Sequence, residues 1–211
     1  MTPGTALKRG LEQLALALPA STREQLLQYL ALLDKWNRIY SLTAIRDPLG
    51  MVSHHLLDSL AVLPHLPLPA TARVADAGSG AGLPGIPLAL AKPQWQVALI
   101  EANQKKAAFL RQATIELALS NVEVHEGRIE AWRPPGGFGL VISRAFRRLA
   151  DFVATCRHLV TPSGMLAAMK GKHPGAELAE LPAGVDCKAV IALEVPFLKA
   201  ERHLVLCELG K

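Results

Sequence analysis

Asp76, Gly78, Gly80, Gly82 and Glu101 are the residues of this 211-residue chain whose types and spacing point most directly to chemistry. An apolar run ending at Asp76 leads into Asp-Ala-Gly-Ser-Gly-Ala-Gly and then into a helical pattern. A strand that turns through glycines into a helix presents free backbone N–H groups and a positive helix end at the carboxyl edge of a sheet, where nucleotides bind. Gly80, Gly82 and Gly85 also satisfy G-x-G-x-x-G, so the glycines alone fit NAD as well as S-adenosylmethionine. Asp76 shifts the balance, because a carboxylate beside the loop repels a pyrophosphate but attracts an ammonium or sulfonium group. Glu101, at the end of the next apolar run, suits the two ribose hydroxyls of either cofactor. Helix capping is the commoner fate of a strand-end carboxylate. Two such carboxylates flanking spaced glycines favour an adenosyl methyl donor.

The elements that must position these groups follow from periodicity. Strand patterns at residues 74–77, 97–101, 122–125 and 140–143 alternate with helical patterns at 86–91, 105–119 and 150–159. That alternation predicts βαβ units and a parallel sheet with helices on both faces. Later strand patterns at 165–169, 189–195 and 203–209 include no long helix between the last two, which predicts an antiparallel hairpin closing the sheet. Before residue 71 the pattern is helical: Ser21-Thr22-Arg23-Glu24 reads as a capping box opening an amphipathic helix, and residues 51–63 repeat the spacing. Pro64, Pro67 and Pro69 then break the chain. The expected organisation is a helical extension over residues 1–70, acting as a cap or lid, and an α/β domain over 71–211.

Half of the residues are hydrophobic, which suits a full core and argues against disorder. No apolar run reaches the roughly 20 residues that span a bilayer, and no secretory signal is evident, so a cytoplasmic protein without a membrane partner is expected. Cys156, Cys187 and Cys207 show neither zinc-site nor disulfide spacing and read as reduced core thiols; no metal site is expected. Lys and Arg (23) exceed Asp and Glu (18), a net charge of +5 that favours a polyanionic partner without requiring one.

Four further stretches carry a family resemblance: Trp36-Asn37-Arg38-Ile39-Tyr40-Ser41-Leu42-Thr43-Ala44-Ile45, His55-Leu56-Leu57-Asp58-Ser59-Leu60, Leu83-Pro84-Gly85-Ile86-Pro87 after the glycines, and Ser143-Arg144-Ala145-Phe146. From about residue 26 onward the chain resembles the RsmG (glucose-inhibited division protein B) family. The resemblance implies a class I methyltransferase with a Rossmann-like, mostly parallel seven-stranded sheet and an N-terminal helical extension. It implies S-adenosyl-L-methionine as cofactor and N7 of a guanine in the decoding-region loop of 16S ribosomal RNA as target, met as RNA or within the small ribosomal subunit. It also implies that Gly78 and Leu83 line the donor pocket, that Ile129 and Glu130 meet the adenine, and that Arg144 closes the site. Ser41 stands where the family usually has Asn, and Arg147-Arg148 where it has small residues.

Guanine N7 has an in-plane lone pair and no proton, so methyl transfer to it requires alignment and water exclusion rather than a general base. Arg144 is the leading catalytic candidate, since a guanidinium can reach guanine O6 or the donor's carboxylate; an ion pair with Glu130 or Asp151 is its structural alternative. Arg147, Arg148, Lys170, Lys172 and His173 can form a phosphate-binding rim, with His54 and His55 near the mouth, although such charges often form only a solvated face. His55 and Asp58 can equally fix the extension to the core. Trp36, Tyr40 and Phe146 fit core packing better than base stacking. A nicotinamide oxidoreductase and a non-catalytic RNA-binding module are the competing readings, and a monomer is expected.

Overall fold

A computed structural model describes residues 1–210. Its centre is a seven-stranded sheet in the order β3-β2-β1-β4-β5-β7-β6, formed by β1 (Arg73–Ala77), β2 (Gln96–Glu101), β3 (Val122–Glu126), β4 (Phe138–Ser143), β5 (Val160–Lys170), β6 (Val185–Ala192) and β7 (His203–Leu209). The first five strands pair in parallel, whereas β7 runs antiparallel between β5 and β6. The predicted hairpin exists, but its second strand inserts inside its first. β6 also starts and ends earlier than the apolar pattern suggests, and none of the residues of this edge strand is fully buried.

Valines, leucines and isoleucines of β1, β2 and β4 are buried on both faces, which is why those strands read as continuous apolar runs. α5 (Gly85–Ala91) and α6 (Gln104–Glu116) cover one face together with the N-terminal helices. α7 (Leu149–Cys156) covers the other through Leu149, Phe152 and Val153. α6 stops at Glu116, three residues before the predicted end, where Ala118 turns to a left-handed φ of 51°.

The N-terminal segment contains α1 (Pro3–Gln13), which the apolar pattern does not single out; the Thr2 hydroxyl caps it by accepting the Thr5 N–H at 3.2 Å. α2 (Ala20–Tyr40) begins one residue before Ser21, with Pro19 at its N-cap and no side-chain cap. The expected capping box therefore does not form: Ser21 is already helical, and the Arg23 guanidinium instead donates to the Leu18 carbonyl. Residues 51–63 are not one regular helix either. α3 (Pro48–Met51) passes into a π-helical stretch, Val52–Leu57, and then into α4 (Asp58–Leu60). Such wide turns recur at functional sites because they re-aim side chains, and this one carries His54 and His55. The side chains of α1, α2 and the π-helical stretch belong to the same apolar core as Val74, Val97 and Leu140 of the sheet.

Cys156 and Cys207 are buried thiols, while Cys187 is only half-buried on β6. Although distant in sequence, Cys187 and Cys207 sit opposite each other across β6 and β7. Among the described residues no helix is long and apolar enough to cross a membrane, and no cluster of side chains suits a metal ion.

Candidate active site

The strand order reverses between β1 and β4, and in open α/β sheets ligands bind at the carboxyl ends of strands flanking such a switch. β1 ends at Ala77 and runs into the glycine loop, while β4 ends at Ser143 and is followed by Arg144. The Ser143 hydroxyl donates to the Ala77 carbonyl at 2.6 Å, fixing the two strand ends against each other. The loop is held from two other sides. Glu101 Oε2 accepts the Gly80 N–H at 2.8 Å and its Oε1 accepts the Asn103 N–H at 2.7 Å. The buried Tyr29 of α2 donates from its hydroxyl to the Ala81 carbonyl at 2.6 Å.

The glycines divide by role. Gly80 adopts φ +59° and a Cβ there would meet only the Gly78 carbonyl at 4.0 Å, so it opens onto the cavity. Gly82, at φ +88°, would drive a Cβ to 2.5 Å from Ile86 Cδ1 and so serves the packing of α5 rather than a ligand. The cavity over the loop measures about 220 Å³ and is lined by Gly78, Gly80, Leu83, Lys106, His55 and Arg144, among others.

Asp76 does not line this cavity. It is wholly buried beneath the loop, where Oδ2 accepts the Gly85 N–H at 2.8 Å and Oδ1 has no partner. Burial pushes its carboxyl up to about 7, against the opposing pull of the Gly85 N–H and the Arg144 charge. In the unfolded chain an aspartate releases its proton near pH 4. The folded chain therefore binds more protons than the unfolded chain between about pH 4 and 7, and this group's contribution to stability falls as pH rises through that window. Asp76→Asn, which stays neutral, is expected to gain stability relative to the native chain between pH 5 and pH 8. Urea unfolding at the two pH values checks this; parallel pH dependence in both chains would refute it.

A second cavity, of about 350 Å³, adjoins the first and is lined by His54, His55, Asp58, Arg144, Lys170 and Arg202, with Ile45, Met169 and Gly171. His55 and Arg144 line both cavities. Arg144 Nη1 donates to Asp58 Oδ2 at 3.0 Å and to the His54 carbonyl at 2.9 Å. Its ion-pair partner is thus a residue of the N-terminal helices rather than Glu130 or Asp151. His55 is buried, and its Nε2 meets the Thr43 hydroxyl at 2.9 Å. Burial and then the Arg144 charge lower its pKa to about 4, so it stands as a neutral wall rather than a cation. Thr43 is placed in turn by Asn37, whose Oδ1 accepts the Thr43 N–H at 2.9 Å. The stretch around Trp36 to Ile45 therefore matters through this chain of contacts, while Trp36 itself packs on Tyr40 and Phe109.

The remaining candidates are spread along the same edge. Ile129 is half-buried and Glu130 exposed in a turn after β3. Lys170 is engaged by Glu177 at 2.9 Å and by the Arg147 carbonyl, and Arg148 is paired with Glu180 at 2.8 Å. Arg147, Lys172 and His173 are exposed, and Phe146 packs on Phe152. Lys106 and Arg202 line the cavities although the sequence did not single them out, and Asp58, expected only to fix the extension to the core, lines the second cavity as well. Lys106 had a signal, since it lies in the first turn after the strand ending in Glu101. Arg202 immediately precedes β7, and only the antiparallel direction of that strand brings it to the ligand edge.

Comparison with known proteins adds five matches: one family model, two relatives and two solved structures. The family model described as "rRNA small subunit methyltransferase G" (GidB) matches residues 22–205. The ribosomal RNA small subunit methyltransferase G of Nitrosospira multiformis is 53% identical, the match covering 98% of this chain and 97% of that protein. The protein of the same name from Laribacter hongkongensis is 52% identical, over 94% and 95% of the two chains. Among solved structures, a SAM-dependent methyltransferase from Aquifex aeolicus superimposes with a TM-score of 0.58 at 20% identity, over 76% of this chain and 93% of that one. The glycopeptide N-methyltransferase MtfA with S-adenosyl-L-homocysteine gives a TM-score of 0.62 at 13% identity, over 74% and 90%. At these identities the structural matches establish the class I methyltransferase fold.

Proposed function

The chain belongs to the rRNA small subunit methyltransferase G family, and from that premise we propose that it transfers a methyl group from S-adenosylmethionine to N7 of a guanine in the decoding-region loop of 16S ribosomal RNA. The observation that carries this reading is the pair of adjoining cavities: one lies over the glycine loop, the other is edged by Arg144, Arg202 and Lys170, and they share Arg144 and His55 as a common wall. A donor in the first and a flipped base in the second would meet beside these two shared side chains.

The residues present fit the donor. Gly78 and Gly80 bring bare backbone to the first cavity, Glu101 keeps lone pairs free beside it, and Lys106 and Arg144 supply cations suited to a carboxylate. S-adenosylmethionine, when bound, supplies a sulfonium methyl. The site is also economical in bases. His55 is a weak base, its pKa lowered to about 4 with Nε2 on Thr43 and Nδ1 buried without a partner; Asp58 is committed to two arginines, and Asp76 is sealed beneath the loop. An acceptor that has no proton to lose suits such a site, and N7 of guanine is one. Arg144 retains N–H groups beyond those given to Asp58 and His54 and can donate them to guanine O6.

The test is incorporation of labelled methyl from S-adenosylmethionine into small-subunit RNA, followed by mapping of the modified nucleotide. One methyl on N7 of a decoding-region guanine is expected. Label on another atom or nucleotide would sink the N7 assignment, and no label on naked RNA or intact subunits would sink the activity itself.

A further inference from the structure

We propose that Asp58 is the positioning residue of the second cavity and that Arg202, which it holds, is an RNA phosphate-binding group beside Arg144. The inference rests on the RNA methyltransferase reading and adds to it a residue from the far end of the chain. The Asp58 side chain is 1% exposed, and each of its oxygens is taken by a different arginine: Arg144 Nη1 on Oδ2 at 3.0 Å, Arg202 Nε on Oδ1 at 2.9 Å. The three residues come from α4, the position just after β4 and the position just before β7, and they meet on the lining of the 350 Å³ cavity.

Each guanidinium is only partly used. Arg144 gives Nη1 to Asp58 and the His54 carbonyl; Arg202 gives Nε to Asp58 and Nη1 to the Glu201 carbonyl. Nη2 of both and Nε of Arg144 make no hydrogen bond among the described residues. A guanidinium fixed by a carboxylate on one edge offers its other edge in a set orientation, and that fork matches two oxygens of a phosphodiester. Two arginines against one carboxylate leave a net positive charge on the wall. The carboxylate itself is masked by its partners, so an incoming anion meets N–H groups and not oxygen. Lys170, the third cation here, is 10% exposed and already engaged by Glu177, which leaves the arginines as the available anion-binding groups.

A purely structural role makes a different prediction. A buried ion pair contributes little net stability but is costly to break, so loss of one partner would lower the melting temperature while folded molecules bound RNA normally. The test measures binding of a small-subunit RNA fragment spanning the decoding region by native protein, Arg202→Ala, Arg202→Lys and Asp58→Asn across a salt series. Donor affinity by calorimetry and melting temperature are measured alongside. Arg202→Ala is expected to bind RNA on the order of tenfold more weakly, with a log K against log salt slope smaller by about one, and to bind donor as the native protein does. Arg202→Lys keeps the charge but cannot both hold Asp58 and present a second edge, so it should keep the slope and lose affinity. Asp58→Asn should weaken RNA binding with every cation still present.

Native RNA affinity and slope in Arg202→Ala, with only a lowered melting temperature, would overturn the phosphate-binding role. Native RNA affinity in Arg202→Lys would overturn the positioning by Asp58, and this variant decides the point even where Asp58→Asn fails to fold. Because the readout is binding, a protein that depends on Arg202 for RNA yet transfers no methyl would refute the methyltransferase reading and leave this inference standing.

Discussion

Arg144→Ala is expected to lower methyl transfer to small-subunit RNA by about a hundredfold or more while the chain still folds. Arg144 is the charged residue common to both cavities, with 28% of its side chain exposed. It can therefore orient the donor's carboxylate or the acceptor's O6, and either contact acts on alignment, which is where the rate of such a transfer is set. Folding is protected because Asp58 keeps Arg202 as a partner at 2.9 Å, so no buried carboxylate is left alone. The stability loss should be about 1.5–3 kcal/mol for the charged hydrogen bond to Asp58, with the weaker bond to the His54 carbonyl lost as well. Single-turnover transfer assays beside thermal unfolding separate the two effects. A fully active alanine variant would remove Arg144 from the mechanism, and Arg144→Lys, which retains charge without the planar fork, should recover only part of the rate.

Gly80→Asp should weaken donor binding by about a hundredfold or more, because an uncompensated carboxylate would project into the space over the loop beside Glu101. The fold should tolerate it. A Cβ at this position meets nothing closer than the Gly78 carbonyl at 4.0 Å, and Asp adopts φ near +59° more readily than most residues. Calorimetry with S-adenosylmethionine reads the loss, and circular dichroism checks the fold. Gly80→Ala is the control, since a methyl group adds little bulk and no charge. Equal losses in both variants would mean that backbone conformation, and not filling of the cavity by a charge, is what the donor requires.

The strands around the glycine loop were legible in sequence because each is buried on both faces and so appears as an apolar run bounded by turn residues. Local structure was less so where packing overrode propensity. Ser21 has the chemistry of a cap, yet Pro19 starts the helix ahead of it, and residues 51–63 have helical spacing but are wound wide where His54 and His55 enter the site. Asp76 was expected beside a bound donor, but it lies wholly beneath the loop and accepts the Gly85 N–H; Glu101 does lie against the loop, where it accepts the N–H groups of Gly80 and Asn103.

The sequence by itself determined the order of βα units, the glycine loop and its carboxylates, since strand, turn and helix signals are local and the loop's residues lie within a few positions of one another. Only the tertiary structure decided the second cavity. Asp58 and Arg202 are 144 residues apart and meet because α4 packs on α5 and β7 enters the sheet antiparallel, which carries the beginning of that strand to the edge where the parallel strands end. Charge on a linear chain does not reveal which cations are already neutralised. The fold does, by giving Lys170 to Glu177 and Arg148 to Glu180 while leaving Arg144 and Arg202 with free N–H groups on the cavity wall.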